Sequence, residues 1–236
     1  MKTSSAWHSL IAGLLLATAS SAFAGWYNTG GTWLYRKAIT LDHTKVPNTD
    51  RSSFPVLVNL ASDAGLSVHA RSDGFDILFT SSEGTTRIPY EREKYSSGTL
   101  VAWVKVPTVS HTTDTVLYLY YGNSSAGDQQ QATSVWDANY RAVWHMKEAT
   151  GGSLADSTST GWTETPVNSP AQTASQIDGG LNFNGTSQYA VESSASPLSS
   201  PFRIVAVEAS RPSFASSSRI RELPQVGLTA HIRRIS

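Results

Sequence analysis

The stretch LVAWVKV at residues 100–106 decides the fold class, because its apolar side chains recur at every second position. One face of the stretch carries only aliphatic side chains, namely Leu100, Ala102, Val104 and Val106. The opposite face carries Val101, Trp103 and Lys105. This alternation predicts a β-strand whose first face lies in a core and whose second face is partly wet.

Other stretches repeat this pattern along the first half of the chain. Residues 115–121, TVLYLYY, are apolar on both faces and predict a central strand that is covered on both sides. Short segments rich in Gly, Asn, Asp and Ser separate the predicted strands, which span residues 34–41, 54–60, 77–80, 86–95, 100–106 and 115–121. Only residues 62–71 could form a helical turn. The sequence therefore predicts an all-β fold, an antiparallel β-sandwich.

The first predicted strand lies within TWLYRKAITL, residues 32–41, and places Trp33 and Tyr35 on one face. Arg36 and Lys37 are adjacent, so they point to opposite sides of a strand and cannot clamp one ligand together. Aromatic side chains of this kind contribute large buried areas to cores. We therefore expect Trp33 and Tyr35 mainly to pin the strand to its sheet.

Residues 1–24 have the features of a secretory signal peptide. Lys2 supplies a positive charge, residues 10–19 are apolar, and small residues predict cleavage between Ala24 and Gly25. The apolar run of about ten residues is shorter than the roughly 20 needed to span a bilayer, and no later segment is long enough. We expect an exported protein, periplasmic or at the cell surface, with no membrane span in the mature chain.

The composition excludes several classes of chemistry. The chain has no cysteine, so thiol nucleophiles, thiolate metal sites and disulfides are absent and stability must come from a hydrophobic core. Residues 25–202 hold 11 Lys or Arg against 16 Asp or Glu, a net charge of −5, which argues against nucleic acid as a partner. Residues 203–236 hold 6 Arg and 2 Glu, so the end of the chain is basic.

Composition also divides the chain into segments. Residues 25–126 form the predicted sandwich domain, and residues 127–134, with three successive glutamines, predict a polar, weakly structured linker. Residues 135–202 regain apolar content and predict a second, incomplete domain. Residues 203–236 form a basic tail in which no strand is predicted.

Five blocks in the same order carry a resemblance to a known family. They are WLYRK at 33–37, FPVLV at 54–58, DGFDI at 73–77 followed by FT at 79–80, AWVKVP at 102–107, and the segment 114–123. Through these blocks, residues 32–123 resemble the bacterial domain-of-unknown-function family 2341. Members of that family are exported or are attached to proton-channel proteins of the MotA/TolQ/ExbB type. The resemblance implies export but no activity, because the family has none assigned.

A second resemblance begins after the predicted linker. VWHM at 143–146, DST at 156–158, GGLNFNG at 179–185 and YAV at 189–191 look like the first strands of a concanavalin-like, laminin-G-type jelly roll. Such domains commonly bind glycans or proteins, some with calcium. The likeness ends at Phe202, which leaves too few residues for a complete jelly roll, so we expect a fragment with unpaired strand edges. A frameshift or truncation of the gene would explain the basic tail, and the alternative is an Arg-rich arm that touches anionic lipid or polysaccharide.

Two pairs of carboxylates are candidate sites. Asp73 and Asp76 flank a glycine-containing turn, but calcium usually takes 6 to 8 oxygens, so Asx-type hydrogen bonds are the better interpretation and no cofactor or metal is predicted. Glu91 and Glu93 would lie about 7 Å apart on one side of a strand, close to the separations found in glycosidases. Catalytic pairs normally come from different strands, so we expect a solvated strand face with Arg92 and Lys94 opposite.

Histidines and aromatic residues complete the candidates. The histidines lack metal-ligand spacing, and His145 is expected at a strand edge rather than as a base. Because sugar rings stack on aromatic side chains, the candidate ligand-binding residues are Trp33, Tyr35, Trp103, Trp162 and Tyr189.

Three functions remain open at this point. The leading hypothesis is a non-enzymatic exported module that recognises an envelope glycan or a surface protein. The alternative is a periplasmic accessory or sensing module associated with an ExbB/TolQ-like proton-channel system. A glycoside hydrolase that uses Glu91 or Glu93 is the third.

Overall fold

The computed structural model describes residues 25–175, 177–192 and 203–206. The predicted signal peptide and the tail beyond residue 206 lie outside the described residues. Within the described part, no helix has the length and apolar character needed to cross a membrane.

Residues 35–121 form a β-sandwich of two antiparallel sheets. Its strands are β1 (Tyr35–Leu41), β2 (Arg51–Leu60), β3 (Leu78–Thr80), β4 (Arg87–Ile88), β5 (Tyr90–Ser96), β6 (Thr99–Val109) and β7 (Thr115–Tyr121). One sheet has the order β1-β7-β3-β4 and the other has the order β2-β6-β5. Helix α1 (Ala64–His69) follows β2, and a short 3₁₀ turn (His43–Lys45) follows β1. The predicted all-β sandwich is therefore confirmed.

The predicted strands are all present, with one subdivision. The stretch predicted as one strand over residues 86–95 divides into β4 and β5 at Pro89. Proline has no backbone N–H to donate to a ladder, which explains why the strand breaks there. β5 and β6 are joined by Ser97 and Gly98, both with positive φ, as a two-residue hairpin turn requires.

The core of the sandwich lies between the two sheets. The four aliphatic side chains predicted for the core face of residues 100–106 are at most 1% exposed. They belong to one buried cluster with Phe79 of β3 and with Leu117 and Leu119 of β7. β7 lies between β1 and β3, so its predicted central position is confirmed. Since no disulfide is available, burial of this cluster is the main stabilising contribution, at roughly 1.5–3 kcal/mol per large buried side chain.

The second face of β6 is partly wet, as predicted, since Trp103 and Lys105 are half-buried. Val101 is only 2% exposed, and the ring of Trp103 lies 5.4 Å from that of Trp136. Trp103 packs against a small buried cluster of Val135, Trp136 and Val143. These covering residues belong to the part of the chain after residue 126, which we call the second lobe.

The second lobe consists of short strands that pair two by two. Its elements are α2 (Ala132–Val135), β8 (Tyr140–Trp144), β9 (Glu164–Val167), β10 (Ala171–Ala174), β11 (Gly179–Asn182), β12 (Tyr189–Glu192) and β13 (Arg203–Ala206). β9 pairs with β12 and β10 with β11, both antiparallel, whereas β8 and β13 are parallel. β13 corrects the expectation that no strand follows residue 202. The β-branched residues Ile204 and Val205 favour an extended backbone, a local signal that the basic composition of the tail obscured.

Residues 127–134 lie along β5 instead of forming a weakly structured linker. The backbone N–H of Gln131 donates to the carbonyl of Tyr90 at 2.8 Å. The Arg92 guanidinium donates to both carboxylate oxygens of Asp128 at 3.1 Å, and the Arg92 N–H donates to Gln130 Oε1 at 3.2 Å. β5 is the last strand of its sheet, so this segment covers an edge that would otherwise be open to pairing.

Residues at the start of the described chain cover the outer face of the other sheet. The Arg36 guanidinium lies 4.7 Å from the ring of Trp26 and 4.4 Å from the ring of Tyr118. Lys37 makes an ion pair with Asp63 at the N-terminus of α1. Arg36 and Lys37 therefore have separate partners, as the alternation of the strand predicted.

Candidate functional site

A group of buried ionisable side chains lies where the second lobe covers the sandwich. Glu91 and Glu93 belong to β5, and His145 directly follows β8. These three residues are 5%, 6% and 3% exposed, respectively. A shift in register between Arg92 and Lys94 places the Glu93 position at a bulge of the ladder with β6. Such burial of charge is rare in proteins unless the charges are paired.

The imidazole of His145 lies between the two carboxylates. Its Nε2 is 3.1 Å from Glu91 Oε2, and its Nδ1 is 3.2 Å from Glu93 Oε2. The Nε2 atom has no aligned hydrogen-bond acceptor, so charge attraction rather than a linear hydrogen bond holds it beside Glu91. With both nitrogens facing carboxylates, the protonated imidazolium is the form that suits this position.

Neutral donors also contact the two carboxylates, mostly at the same oxygens that face His145. Trp136 Nε1 donates to Glu91 Oε2 at 2.8 Å, and Ser157 Oγ donates to Glu91 Oε1 at 2.5 Å. Trp103 Nε1 donates to Glu93 Oε2 at 2.7 Å. These side chains come from β6, from the end of α2 and from a loop after β8. We call Glu91, Glu93, Trp103, Trp136, His145 and Ser157 together the buried cluster.

The pairing within the buried cluster changes the acidity of its members. Burial by itself lowers the pKa of His145, but the contacts and charges of Glu91 and Glu93 outweigh burial and raise this pKa to about 9. Burial by itself raises the pKa of Glu91, but the contact with His145, followed by Ser157 and Trp136, lowers it below the ordinary value. Near neutral pH the cluster therefore contains an imidazolium between carboxylates.

The predicted solvated face at Glu91 and Glu93 was wrong, whereas His145 does lie at the edge of a strand, directly after β8. All three are buried because the second lobe covers this face of β5, which strand periodicity alone cannot reveal. Arg92 does lie opposite, as predicted, and it binds Asp128. The same prediction for Lys94 was wrong, because the bulge at Glu93 turns Lys94 to the face of Glu91, where it binds Asp178. Both carboxylates share one imidazole, and both residues are at most 6% exposed. This geometry fits a structural role better than acid–base catalysis.

A groove open to solvent lies beside α1. Its volume is about 340 Å³, and its lining includes Leu34, Tyr35, Val68, His69 and Arg71. Leu34 is 60% exposed and Val68 is 72% exposed, so the rim carries aliphatic side chains in contact with water. The ring of Tyr35 stacks on His69 at 4.0 Å. The groove thus combines apolar side chains with an imidazole and a guanidinium.

Of the five candidate aromatic residues, only Tyr35 lies in this groove. Trp33 is 3% exposed and belongs to the sandwich core, whereas Trp103 belongs to the buried cluster. Trp162 packs against the small core of the second lobe, and its backbone carbonyl accepts from the indole of Trp144. Tyr189 is 52% exposed on β12. The structure therefore does not bring the five together into one platform.

The carboxylates considered for calcium act within the backbone framework. Asp73 accepts from the N–H of Phe75 at 2.9 Å, which is an Asx-type turn, as predicted. Asp76 is fully buried and accepts from the N–H groups of Arg71 and Gly122. Each carboxylate therefore holds a turn or joins two segments of the chain.

Another group of possible metal ligands lies at one end of the sandwich. Asp42, His43 and Asp114 offer ligand atoms within 4.8 Å of one another. Asp114 accepts from the backbone N–H of His43 at 3.0 Å and lies 2.6 Å from its Nδ1. The group is largely exposed to solvent, and these contacts join the loop after β1 to the start of β7.

Sequence reasoning missed Trp136 and Ser157 as partners of Glu91. The carboxylate of Glu91, which follows Tyr90 on a buried strand, needs hydrogen-bond donors. Its donors lie 45 and 66 positions away in the sequence. No spacing rule connects such distant positions. The usable signal was the apolar character of VW at 135–136 and AVWHM at 142–146, which indicates a buried surface.

Comparison with protein families adds one finding. Residues 73–165 match the family model of a domain of unknown function, DUF2341. The match supports the resemblance to that family. It begins inside the sandwich, crosses residues 127–134 and enters the second lobe, so all six residues of the buried cluster lie within it. Comparisons with curated proteins and with solved structures gave no match.

Proposed function

We propose that the protein is a non-enzymatic exported module that recognises a glycan or a protein of the cell envelope through the groove beside α1. The observation that carries this proposal is the contrast between two sites. The buried cluster is closed and internally paired, whereas the groove of about 340 Å³ is open and has exposed aliphatic side chains on its rim.

The groove has the mixed lining that recognition requires. Leu34 and Val68 offer apolar surface that loses water on binding, at roughly 25 cal/mol per Å². His69 offers ring nitrogens at an exposed position beside them. Arg71 donates to the carbonyl of Ala126 at 2.6 Å and to Asp73 at 2.6 Å, so the wall next to these residues is held rigidly. A preorganised wall reduces the ordering cost of binding.

Purified bacterial envelopes provide a direct probe for this proposal. We expect the full chain to bind envelopes, and the Val68→Asp variant to bind at least about tenfold more weakly, because a carboxylate on the rim must be desolvated on contact. Phe54→Asp is the matched control, since Phe54 is 40% exposed on β2 and lies outside the groove lining. Pretreating envelopes with a protease or with a peptidoglycan hydrolase distinguishes a protein ligand from a glycan.

Two outcomes would contradict the groove as the binding site. One is the absence of binding to envelopes, and the other is equal binding by the wild-type chain and by Val68→Asp. Recovery of an ExbB/TolQ-like protein with the wild-type chain and with Val68→Asp alike would favour the alternative, a periplasmic accessory module. Hydrolysis of a glycoside that stops on replacement of Glu91 or Glu93 would favour an enzyme.

A further inference from the structure

The buried cluster joins two parts of the chain that are distant in sequence. Glu91, Glu93 and Trp103 belong to the sandwich, whereas Trp136 and His145 belong to the second lobe. We propose that His145 is a charge-dependent latch, which holds the second lobe on the sandwich while its imidazole is protonated and releases the lobe when the proton is lost. This inference does not depend on the proposed groove.

The charge balance of the junction explains the latch. Glu91 and Glu93 bring two buried negative charges to the face of β5 that the lobe covers. The imidazolium of His145 compensates them from the lobe side, at 3.1 and 3.2 Å. When the imidazole becomes neutral, two carboxylates remain close together in a site that excludes water. Exposing them to water is then favoured over keeping the lobe docked.

Other charged side chains among the described residues also link the sandwich to the second lobe. Arg92 binds Asp128, Lys105 donates to the carbonyl of Ser134, and Arg87 donates to the carbonyl of Gln129. Lys147, two residues after His145, donates from Nζ to the backbone carbonyl of Glu93 at 3.1 Å. Lys94 of β5 pairs with Asp178 of the lobe at 2.6 Å. The rings of Trp103 from β6 and of Trp136 from the end of α2 lie beside His145, and Ser157 from the loop after β8 donates to Glu91. These three side chains carry no charge.

The direction of the pH effect follows from the shifted acidities. The pKa of His145 is raised from 6.5 to about 9, so its contribution to docking is complete below pH 6.5 and is lost as the pH rises through about 9. The pKa of Glu91 is lowered from 4.5, so its contribution is present above pH 4.5 and is lost only as the pH falls through that lowered value. The latch therefore resists mild acid and opens in alkali.

The absence of cysteine from the chain allows a clean measurement of lobe release. Thr108→Cys on β6 and Ala171→Cys on β10 place a donor and an acceptor fluorophore at exposed positions of the sandwich and of the lobe. We expect the energy transfer between them to fall as the pH is raised from 6 to 10, with a midpoint near 9. Circular dichroism recorded on the same samples reports whether the sandwich stays folded.

Substitutions distinguish the latch from general alkaline effects. In Glu93→Gln, one of the carboxylates that favours the charged imidazole is gone, so the midpoint should move down by about 1 to 3 pH units. Lys94→Gln removes the ion pair with Asp178, which is another link between the sandwich and the second lobe. Because this variant keeps the buried cluster intact, its midpoint should stay near 9. Constant energy transfer between pH 6 and 10 would overturn the latch. A midpoint that Glu93→Gln leaves unchanged would overturn it as well.

Discussion

His145→Gln should lower the free energy of unfolding by about 3–5 kcal/mol at pH 7, the range found when one partner of a buried ion pair is removed. Glutamine can still donate a hydrogen bond, but it cannot supply the positive charge that lies 3.1 and 3.2 Å from the two carboxylates. Glu91 and Glu93 then lack a compensating charge in the docked state, so docking of the second lobe no longer stabilises the folded chain. The effect is measured by urea denaturation of the full chain, followed by tryptophan fluorescence.

His111→Gln is the matched control for this substitution. The Nδ1 of His111 lies 2.6 Å from Asp50, but the side chains of this pair are 36% and 50% exposed. Exposed ion pairs contribute at most about 1 kcal/mol, so the control should change the stability little. If His145→Gln and His111→Gln destabilised the chain equally, the cluster would not be the junction described above.

Phe79→Ala should destabilise the protein by about 3–5 kcal/mol, the usual cost of removing a buried aromatic ring. Phe79 is completely buried on β3, and its ring lies 5.2 Å from that of Tyr90 on the opposite sheet. Its loss leaves a cavity between the two layers. The chain has no disulfide, so no covalent link between distant residues offsets the stability that the core loses.

The same substitution at an exposed phenylalanine tests whether the loss of stability at Phe79 depends on the burial of its ring. Phe54 on β2 is 40% exposed, so Phe54→Ala should cost less than about 1.5 kcal/mol, at most half the cost at Phe79. Chemical denaturation of both variants measures the difference. Similar losses at the two positions would contradict the sandwich core described here.

Strand periodicity was sufficient to predict the sandwich. Alternation in residues 100–106 predicted which face of β6 is in the core, and two apolar faces in residues 115–121 predicted the central position of β7. The break at Pro89 follows from its missing N–H, although the sequence prediction did not include it. These successes share a cause, since each feature depends on neighbours in sequence.

The candidate site could not be predicted because it depends on contacts between distant parts of the chain. Glu91, Arg92 and Glu93 look like an exposed charged strand, and only the docking of β8 shows that one side is buried. A charged residue on a strand normally indicates solvent, so the sequence rule favoured the wrong environment. The glutamine-rich segment 127–134 misled for a similar reason, since its polar groups find partners on β5.

The groove was foreseen only in part. Tyr35 was a candidate ligand-binding residue, but the groove is also lined by residues of α1 and of the turn after β7, which strand patterns do not bring together. The expectation that Tyr35 packs against the protein also holds, since its ring stacks on His69 and on Tyr121. One residue thus contributes to packing and to the rim of the groove.

Nuclear magnetic resonance titration of the histidine side chains tests the buried cluster most directly. We predict that the His145 imidazole titrates with a pKa of about 9 in the folded chain and that the Glu93→Gln variant lowers this value. The His145→Gln variant assigns the signal. The opposite result is a folded chain in which the His145 imidazole titrates at or below its ordinary value of 6.5. That result would contradict the account in which a charged imidazole joins the second lobe to the sandwich.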